Sequence, residues 1–285
     1  MSIDQITVLG AGTMGHGIAI NAATAGYHVT LHDVSPEAVE AGMSRIKAFL
    51  DKGVERGKKT EKQRDDAIAR ITGAADFAEA VSQADLVIEA APEQLELKKK
   101  IFSDLGQACP AHTLLASNTS SCSVTEMALA SGRPAQVIGA HFFNPVPIMK
   151  LLEVIVTDFT APETKQALLT FAERLGKTTA VIKDSPGFAT SRLGIAIALE
   201  AIRMVEQEVA EPHDIDTCME LGYRFPMGPL RLTDLVGLDV RLGIADTIYA
   251  ATQSPVFQAP DLLRQMVSDG KLGRKSGQGF YRYDV

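Results

Sequence analysis

Cysteine is scarce in this chain: Cys109, Cys122 and Cys218 are an odd number in 285 residues, without C-x-x-C spacing. That excludes a disulfide framework and a zinc site of thiolate spacing, so no metal is expected and a reducing cytoplasm is the expected setting. Positive charge is in deficit, with 28 Lys and Arg against 35 Asp and Glu, a formal charge of −7 and no long basic arm. Neutralising nucleic-acid phosphates takes clustered cations on a net-positive face, so nucleic acid is not the expected partner. Long hydrophobic runs are missing too. The most apolar helical run, L-G-I-A-I-A-L at 193 to 199, stops at Glu200, far short of the roughly 20 residues of a membrane span. A strand-like run begins almost at once, I-T-V-L at 6 to 9, leaving no room for an export signal, and neither targeting segment nor transmembrane helix is expected. There are no internal repeats, and the stretch from Arg45 to Arg70 is the only local charge bias.

With 46% hydrophobic and 22% charged residues, the composition is that of a globular chain long enough for two domains. Short β-branched runs alternate with helical stretches: I-T-V-L-G, a helix from Met14 to Ala25, Y-H-V-T-L-H-D, then a long polar helical stretch from Pro36 to about Ile71. D-L-V-I-E-A-A at 85 to 91, T-L-L-A-S-N at 113 to 118, V-I-G-A-H-F-F at 137 to 143, K-L-L-E-V-I-V at 150 to 156 and T-T-A-V-I-K at 178 to 183 continue the strands. Repeated crossovers between apolar strands predict an α/β fold, a mostly parallel Rossmann-type sheet with ligands at the strands' carboxyl ends. After D-S-P-G at 184 to 187 no comparable strand follows, and Leu193 to Val209 reads as a helix apolar almost all round, buried among other helices. The expected division is a cofactor domain over 1–185 and a smaller all-helical domain over 186–285.

G-A-G-T-M-G at 10 to 15 follows a strand and opens a helix. In that setting Gly10 allows the tight turn, Gly12 lets a pyrophosphate approach the backbone, Gly15 lets strand and helix pack, and the helix N-terminus supplies N–H donors. Thr13 and Met14 belong to the same turn. Asp33 ends the second strand roughly 20 residues on, where it can accept from an adenine-ribose 2′-hydroxyl and would repel a 2′-phosphate, so NAD is expected over NADP. FAD or a nucleotide fragment would leave a similar trace.

S-N-T-S-S at 117 to 121 lies just past a strand on the ligand side, with Asn118 a cofactor-site candidate. Ser123 is the capping candidate of the next helix, with Glu126 returning the bond. For Thr119, Ser120 and Ser121, loop hydrogen bonding and substrate contact stand equal. H-F-F-N-P at 141 to 145 puts His141 at the same sheet edge. Glu153 then poses a question, as a carboxylate inside the apolar run L-L-E-V-I-V, where an unpartnered charge is costly. The two segments are joined by the Pro145-Val146-Pro147 turn, so His141 can be its partner; the carboxylate would fix one ring nitrogen and leave the other to act as the base. The plain alternative is a surface Glu on an edge strand.

The series G-A-G-T-M-G, E-A-A-P-E-Q-L-E-L-K at 89 to 98, S-N-T-S-S, H-F-F-N-P-V-P-I-M-K-L-L-E-V-I, D-S-P-G-F, M-G-P-L-R-L-T-D-L-V-G-L-D at 227 to 239 and G-Q-G-F-Y-R-Y at 277 to 283 spans the chain. It resembles the L-3-hydroxyacyl-CoA dehydrogenases, including the short-chain 3-hydroxybutyryl-CoA enzymes. The resemblance implies that His141 is the general base, that Glu153 orients it, that Ser120 hydrogen-bonds the substrate oxygen, and that Glu93 and Lys98 lie near the nicotinamide ribose. It also implies a homodimer formed through the helical domain. One departure falls at Ser191: P-G-F-A-T-S-R stands where the family usually has Asn before Arg, a position that helps to hold the substrate carbonyl. Between Arg45 and Arg64, eight Lys or Arg face three Asp or Glu. A solvated helical hairpin explains such a run; in the family the segment meets CoA, whose phosphates would suit Lys52, Arg56, Lys58 or Lys59. The expected activity is NAD-dependent oxidation of the 3-hydroxyl of an acyl-CoA. The rivals are a dehydrogenase of a free hydroxy acid or sugar acid, and a non-catalytic NAD-binding protein.

Overall fold

The computed structural model describes residues 3–284, which fall into two compact units divided between Asp184 and Ser185. In the first, the order is β1 (Gln5–Leu9), α1 (Thr13–Thr24), β2 (His28–His32), α2 (Pro36–Glu55), α3 (Glu61–Ile68), β3 (Ile71–Ala74), α4 (Phe77–Val81), β4 (Leu86–Glu89), α5 (Leu95–Ala108), β5 (Leu114–Ser117), α6 (Val124–Ala130), β6 (Val137–Phe142), β7 (Leu151–Val156), α7 (Pro162–Arg174) and β8 (Thr178–Lys183). They build one eight-stranded sheet in the order β3-β2-β1-β4-β5-β6-β7-β8. Every pairing is parallel except β6 with β7. The inner strands are apolar because both faces are covered: β4, β5 and β6 are buried along their whole length. Ile6, Val8, Leu31, Ile88, Leu114, Ile138 and Val154 join Ile18, Leu168 and Phe171 of the covering helices in one core. Because β1 lies between β2 and β4, the chain reverses its direction of travel across the sheet there, and a crevice opens at the carboxyl ends of β1 and β4.

The stretch from Pro36 to Ile71 is not one helix. Ser35 caps α2, accepting from Ala38 N at 3.2 Å with Pro36 in the first turn, and Gly57 then takes φ +66°, ending the helical run. Thr60 and Gln63 start α3 with a reciprocal capping box. Ile71 belongs to the edge strand β3, not to a helix end; only Ile71 of its four residues is buried.

The second unit holds α8 (Thr190–Glu206), α9 (Pro212–Thr217), α10 (Pro229–Val236), α11 (Leu238–Thr252) and α12 (Asp261–Ser268). Its core gathers Ile195, Leu199, Ile202, Leu230, Leu238, Ile248 and Leu263. α8 differs from its expectation: Leu193 is exposed and Val209 lies beyond the helix, while Ile195, Ala198, Leu199, Ala201 and Ile202 form the buried stripe. The flank carrying Ala196, Ile197 and Met204 lines an almost wholly apolar cavity of about 390 Å³. Two buried carboxylates tie down the C-terminal segment. Asp234 accepts from the backbone N of Phe280 and Tyr281 and from the Tyr283 hydroxyl, and Asp216 accepts from Leu230 N, Arg231 N and the Tyr281 hydroxyl.

Candidate active site

The glycine turn sits at the crevice. Gly10 has φ +99°, and a Cβ there would lie 2.6 Å from the Ala90 carbonyl oxygen; one on Gly15 would lie 1.7 Å from that of Gly10. Both positions therefore need glycine for α1 to pack on β1. Around Gly12 the space is open, and Gly12 stands at the cap position just before α1, which Thr13 and Met14 begin, with no side-chain cap. Asp33, just past β2, accepts from Ala11 N and Val34 N, both at 2.7 Å, and Arg45 donates to the Ala11 carbonyl at 3.2 Å. An open cradle, an uncapped helix N-terminus and an acid at the end of β2 fit a dinucleotide.

Next to this turn, a cavity of about 370 Å³ is lined by Met14, Ala90, Ala91, Glu93, Asn118, Ser120, His141, Phe142, Phe143 and Asn144. His141 reaches it from β6, whose antiparallel register sets His141 directly opposite Glu153 of β7, so both side chains share one face. His141 Nδ1 lies 2.8 Å from Glu153 Oε2, and Glu153 is 1% exposed. The Phe143 ring tilts against the imidazole with centroids 4.5 Å apart. Asn118 also serves the scaffold, its Oδ1 accepting from Phe142 N at 2.9 Å.

Glu93 organises the serine-rich loop. Its Oε1 accepts from Thr119 Oγ1 at 2.6 Å, from the backbone N of Ser120 and Ser121 at 2.8 and 2.9 Å, and from both serine hydroxyls at 3.1 Å. Burial pushes this carboxyl up, but the Lys98 ammonium and the bonds from Thr119, Ser120 and Ser121 outweigh it and hold it down to about 2. Lys98 is buried, with its ammonium 2.6 Å from Glu89 Oε1, 3.2 Å from the Ala91 carbonyl and 3.3 Å from Glu93 Oε2. Glu89, fully buried at the end of β4, also accepts from Ser117 Oγ at 2.5 Å and Ala91 N at 2.7 Å. The sequence singles out neither Glu89 nor Ser117, and of the two roles open to Thr119 the structure shows the loop hydrogen bonding. The acidic end of an otherwise apolar strand, D-L-V-I-E, was a signal for Glu89 of the same kind as the one that singled out Glu153.

The other candidates belong to other elements. Ser191 is in the first turn of α8, in the second unit. Lys52, Arg56 and Lys58 are exposed at the α2–α3 junction, and Lys59 is half-buried there. Ser123 caps α6 through Glu126 N at 3.3 Å, but the Glu126 carboxylate pairs with Lys99 at 3.4 Å instead of completing a capping box. Among the described residues, no group of three or more His, Cys, Asp or Glu could hold a metal ion, and no helix is long and apolar enough to cross a membrane.

A doubly wound sheet with a dinucleotide turn and a carboxylate-held histidine beside it defines a nicotinamide-dependent oxidoreductase. The family model for the NAD-binding domain of 3-hydroxyacyl-CoA dehydrogenase matches residues 5–185, and that for its C-terminal domain matches residues 187–283. The chain belongs to the 3-hydroxyacyl-CoA dehydrogenase family and is an NAD-dependent enzyme of that activity. It is 46% identical to a probable 3-hydroxybutyryl-CoA dehydrogenase of Bacillus subtilis, over 100% of this chain and 99% of that one. It is 41% identical to a 3-hydroxyadipyl-CoA dehydrogenase of Escherichia coli, over 99% of this chain and 59% of that one. The crystal structure of a (S)-3-hydroxybutyryl-CoA dehydrogenase from Ralstonia eutropha superposes with a TM-score of 0.97 at 38% identity, each chain covered in full.

Proposed function

We propose that the chain oxidises the 3-hydroxyl of a short 3-hydroxyacyl-CoA reversibly, with His141 as general base and acid. The observation that carries this reading is the 2.8 Å contact between His141 and Glu153 on the wall of the cavity beside the glycine turn. Glu153 holds Nδ1, so Nε2 takes the hydroxyl proton, and the carboxylate stabilises the imidazolium that results. Ser120 hydrogen-bonds the reacting oxygen from a loop that Glu93 keeps in place, and Ser191 assists at the carbonyl. Gly10, Gly12, Thr13, Met14, Gly15 and Asp33 hold NAD, with Glu93, Lys98 and Asn118 toward its nicotinamide end; Lys98, enclosed by its acceptors, acts there by fixing Glu93. NAD, when bound, accepts the hydride from C3.

Lys52, Arg56, Lys58 and Lys59 attract the CoA phosphates; none of them is ion-paired among the described residues, whereas Lys47, Lys62 and Arg64 are. The second unit forms a homodimer, a reading supported by the exposed Leu221 and Tyr223 and by the apolar cavity along α8. Three free cysteines accord with a cytoplasmic setting.

Reduction of acetoacetyl-CoA, longer 3-ketoacyl-CoAs and free acetoacetate tests the reading, each with NADH and NADPH. The expected result is turnover of the CoA thioesters, with kcat/KM for NADH at least about tenfold above NADPH, some 1.4 kcal/mol of repulsion and lost hydrogen bonding at Asp33. Faster turnover of the free acid, or equal use of both cofactors, would sink it.

A further inference from the structure

At the end of β4 one ammonium stands between two carboxylates. Lys98 is 1% exposed, and its Nζ donates to Glu89 Oε1 at 2.6 Å and to the Ala91 carbonyl at 3.2 Å. Among the described residues its contact with Glu93 is an ion pair alone, 3.3 Å from Oε2. A buried lysine needs one carboxylate to offset its charge. With two, one negative charge is left over. Glu89 is fully buried and does not line the cavity that Glu93 lines; its remaining donors are Ala91 N and Ser117 Oγ.

Glu93 uses its two oxygens unequally. Oε1 accepts from the Thr119, Ser120 and Ser121 hydroxyls and from the backbone N of both serines, whereas Oε2 has Lys98 alone among the described residues. The side chain is 36% exposed, on the wall of the cavity beside the glycine turn. A carboxylate oxygen with spare acceptor capacity in that place suits a hydroxyl donor. Glu89 keeps the capacity open, because its 2.6 Å bond commits the ammonium. Without that bond, Glu93 is the carboxylate left to Lys98, and the ammonium would close on Oε2.

We propose that Glu89 is a positioning residue for cofactor binding: by holding the Lys98 ammonium it leaves Glu93 Oε2 to accept from a hydroxyl of the ribose that carries the nicotinamide. This rests on the reading that places Glu93 toward the nicotinamide end of NAD. If Glu89 served only to neutralise Lys98, its loss would cost stability without singling out one part of the cofactor.

Titration calorimetry with ADP, ADP-ribose and NADH separates those parts, since ADP lacks this ribose and ADP-ribose has it without the nicotinamide. The proteins compared are wild type, Glu89→Gln, Glu93→Gln and the double variant Glu89→Gln/Lys98→Met. In Glu89→Gln, ADP-ribose and NADH should bind about tenfold more weakly or worse, the worth of one hydrogen bond to a charged acceptor, while ADP affinity holds. The double variant should recover part of that loss, because no ammonium remains to occupy Oε2. Equal weakening of ADP and ADP-ribose in Glu89→Gln, or weakening of neither, overturns the proposal. So does a double variant that binds ADP-ribose as weakly as Glu93→Gln, a comparison that stands even if Glu89→Gln does not fold. Unchanged ADP-ribose affinity in Glu93→Gln would remove the placement of Glu93 together with this role of Glu89; weakening there but not in Glu89→Gln would remove the role of Glu89 alone.

Discussion

At this edge of the sheet each carboxylate stands where donors surround it. Glu89 has a lysine, a serine and a backbone N–H; Glu93 has a threonine, two serines and two backbone N–H groups; Glu153 has the His141 imidazole. Glu153 and His141 were legible as a pair because one short turn joins their strands. Glu89 and Ser117 stand 28 residues apart on neighbouring parallel strands, and no local pattern announces a partner brought in by a crossover. Glu93 carries a pH signature. Its folded carboxyl is depressed to about 2 from an ordinary 4.5, so its stabilising contribution is complete above about 4.5 and is lost as pH falls toward 2. Glu93→Gln should therefore be less stable than wild type at pH 6, with the gap closing between about 4.5 and 2 in denaturant melts followed by circular dichroism. A gap independent of pH would mean that the charge of Glu93 contributes nothing.

At the scale of elements, the α2–α3 hairpin and the β6–β7 pair show what periodicity reveals. Strands buried on both faces, such as β4, β5 and β6, announce themselves as apolar runs, and the seven stretches read as strands are all strands, although none of the residues of β8 is buried. β3 escaped because an edge strand with one buried residue has little composition of its own, and its hydrogen bonds come from β2. The break in the hairpin was marked by Gly57 and by Thr60-x-x-Gln63, local signals outweighed by a long polar context. Neutralising Lys52, Arg56, Lys58 and Lys59 together should raise KM for an acyl-CoA several-fold at low salt. KM for a truncated thioester lacking the nucleotide should change little, because it carries no phosphates for these charges to attract, and raising the salt should shrink the difference. Unchanged acyl-CoA kinetics would place CoA recognition elsewhere.

Across the whole molecule, the proposed function divides labour between parts of the first unit: the turn between β1 and α1, with Asp33, would hold the cofactor, and the β6–β7 pair would handle the proton. The glycine turn and the β6–β7 pair lie in separate stretches of chain, each with a local pattern of its own, which is why the geometry of both is legible in the sequence. That division is tested most directly by measuring acetoacetyl-CoA reduction and NADH binding together in His141→Gln, Glu153→Gln and the double variant. His141→Gln should lose about 10²- to 10⁴-fold in kcat. Glu153→Gln should fall substantially, and the double variant should be little worse than His141→Gln, as residues acting through one group are non-additive. NADH affinity should hold in all three. Full kcat in Glu153→Gln across pH 6 to 9 would contradict the account, leaving this buried carboxylate without a part in the chemistry.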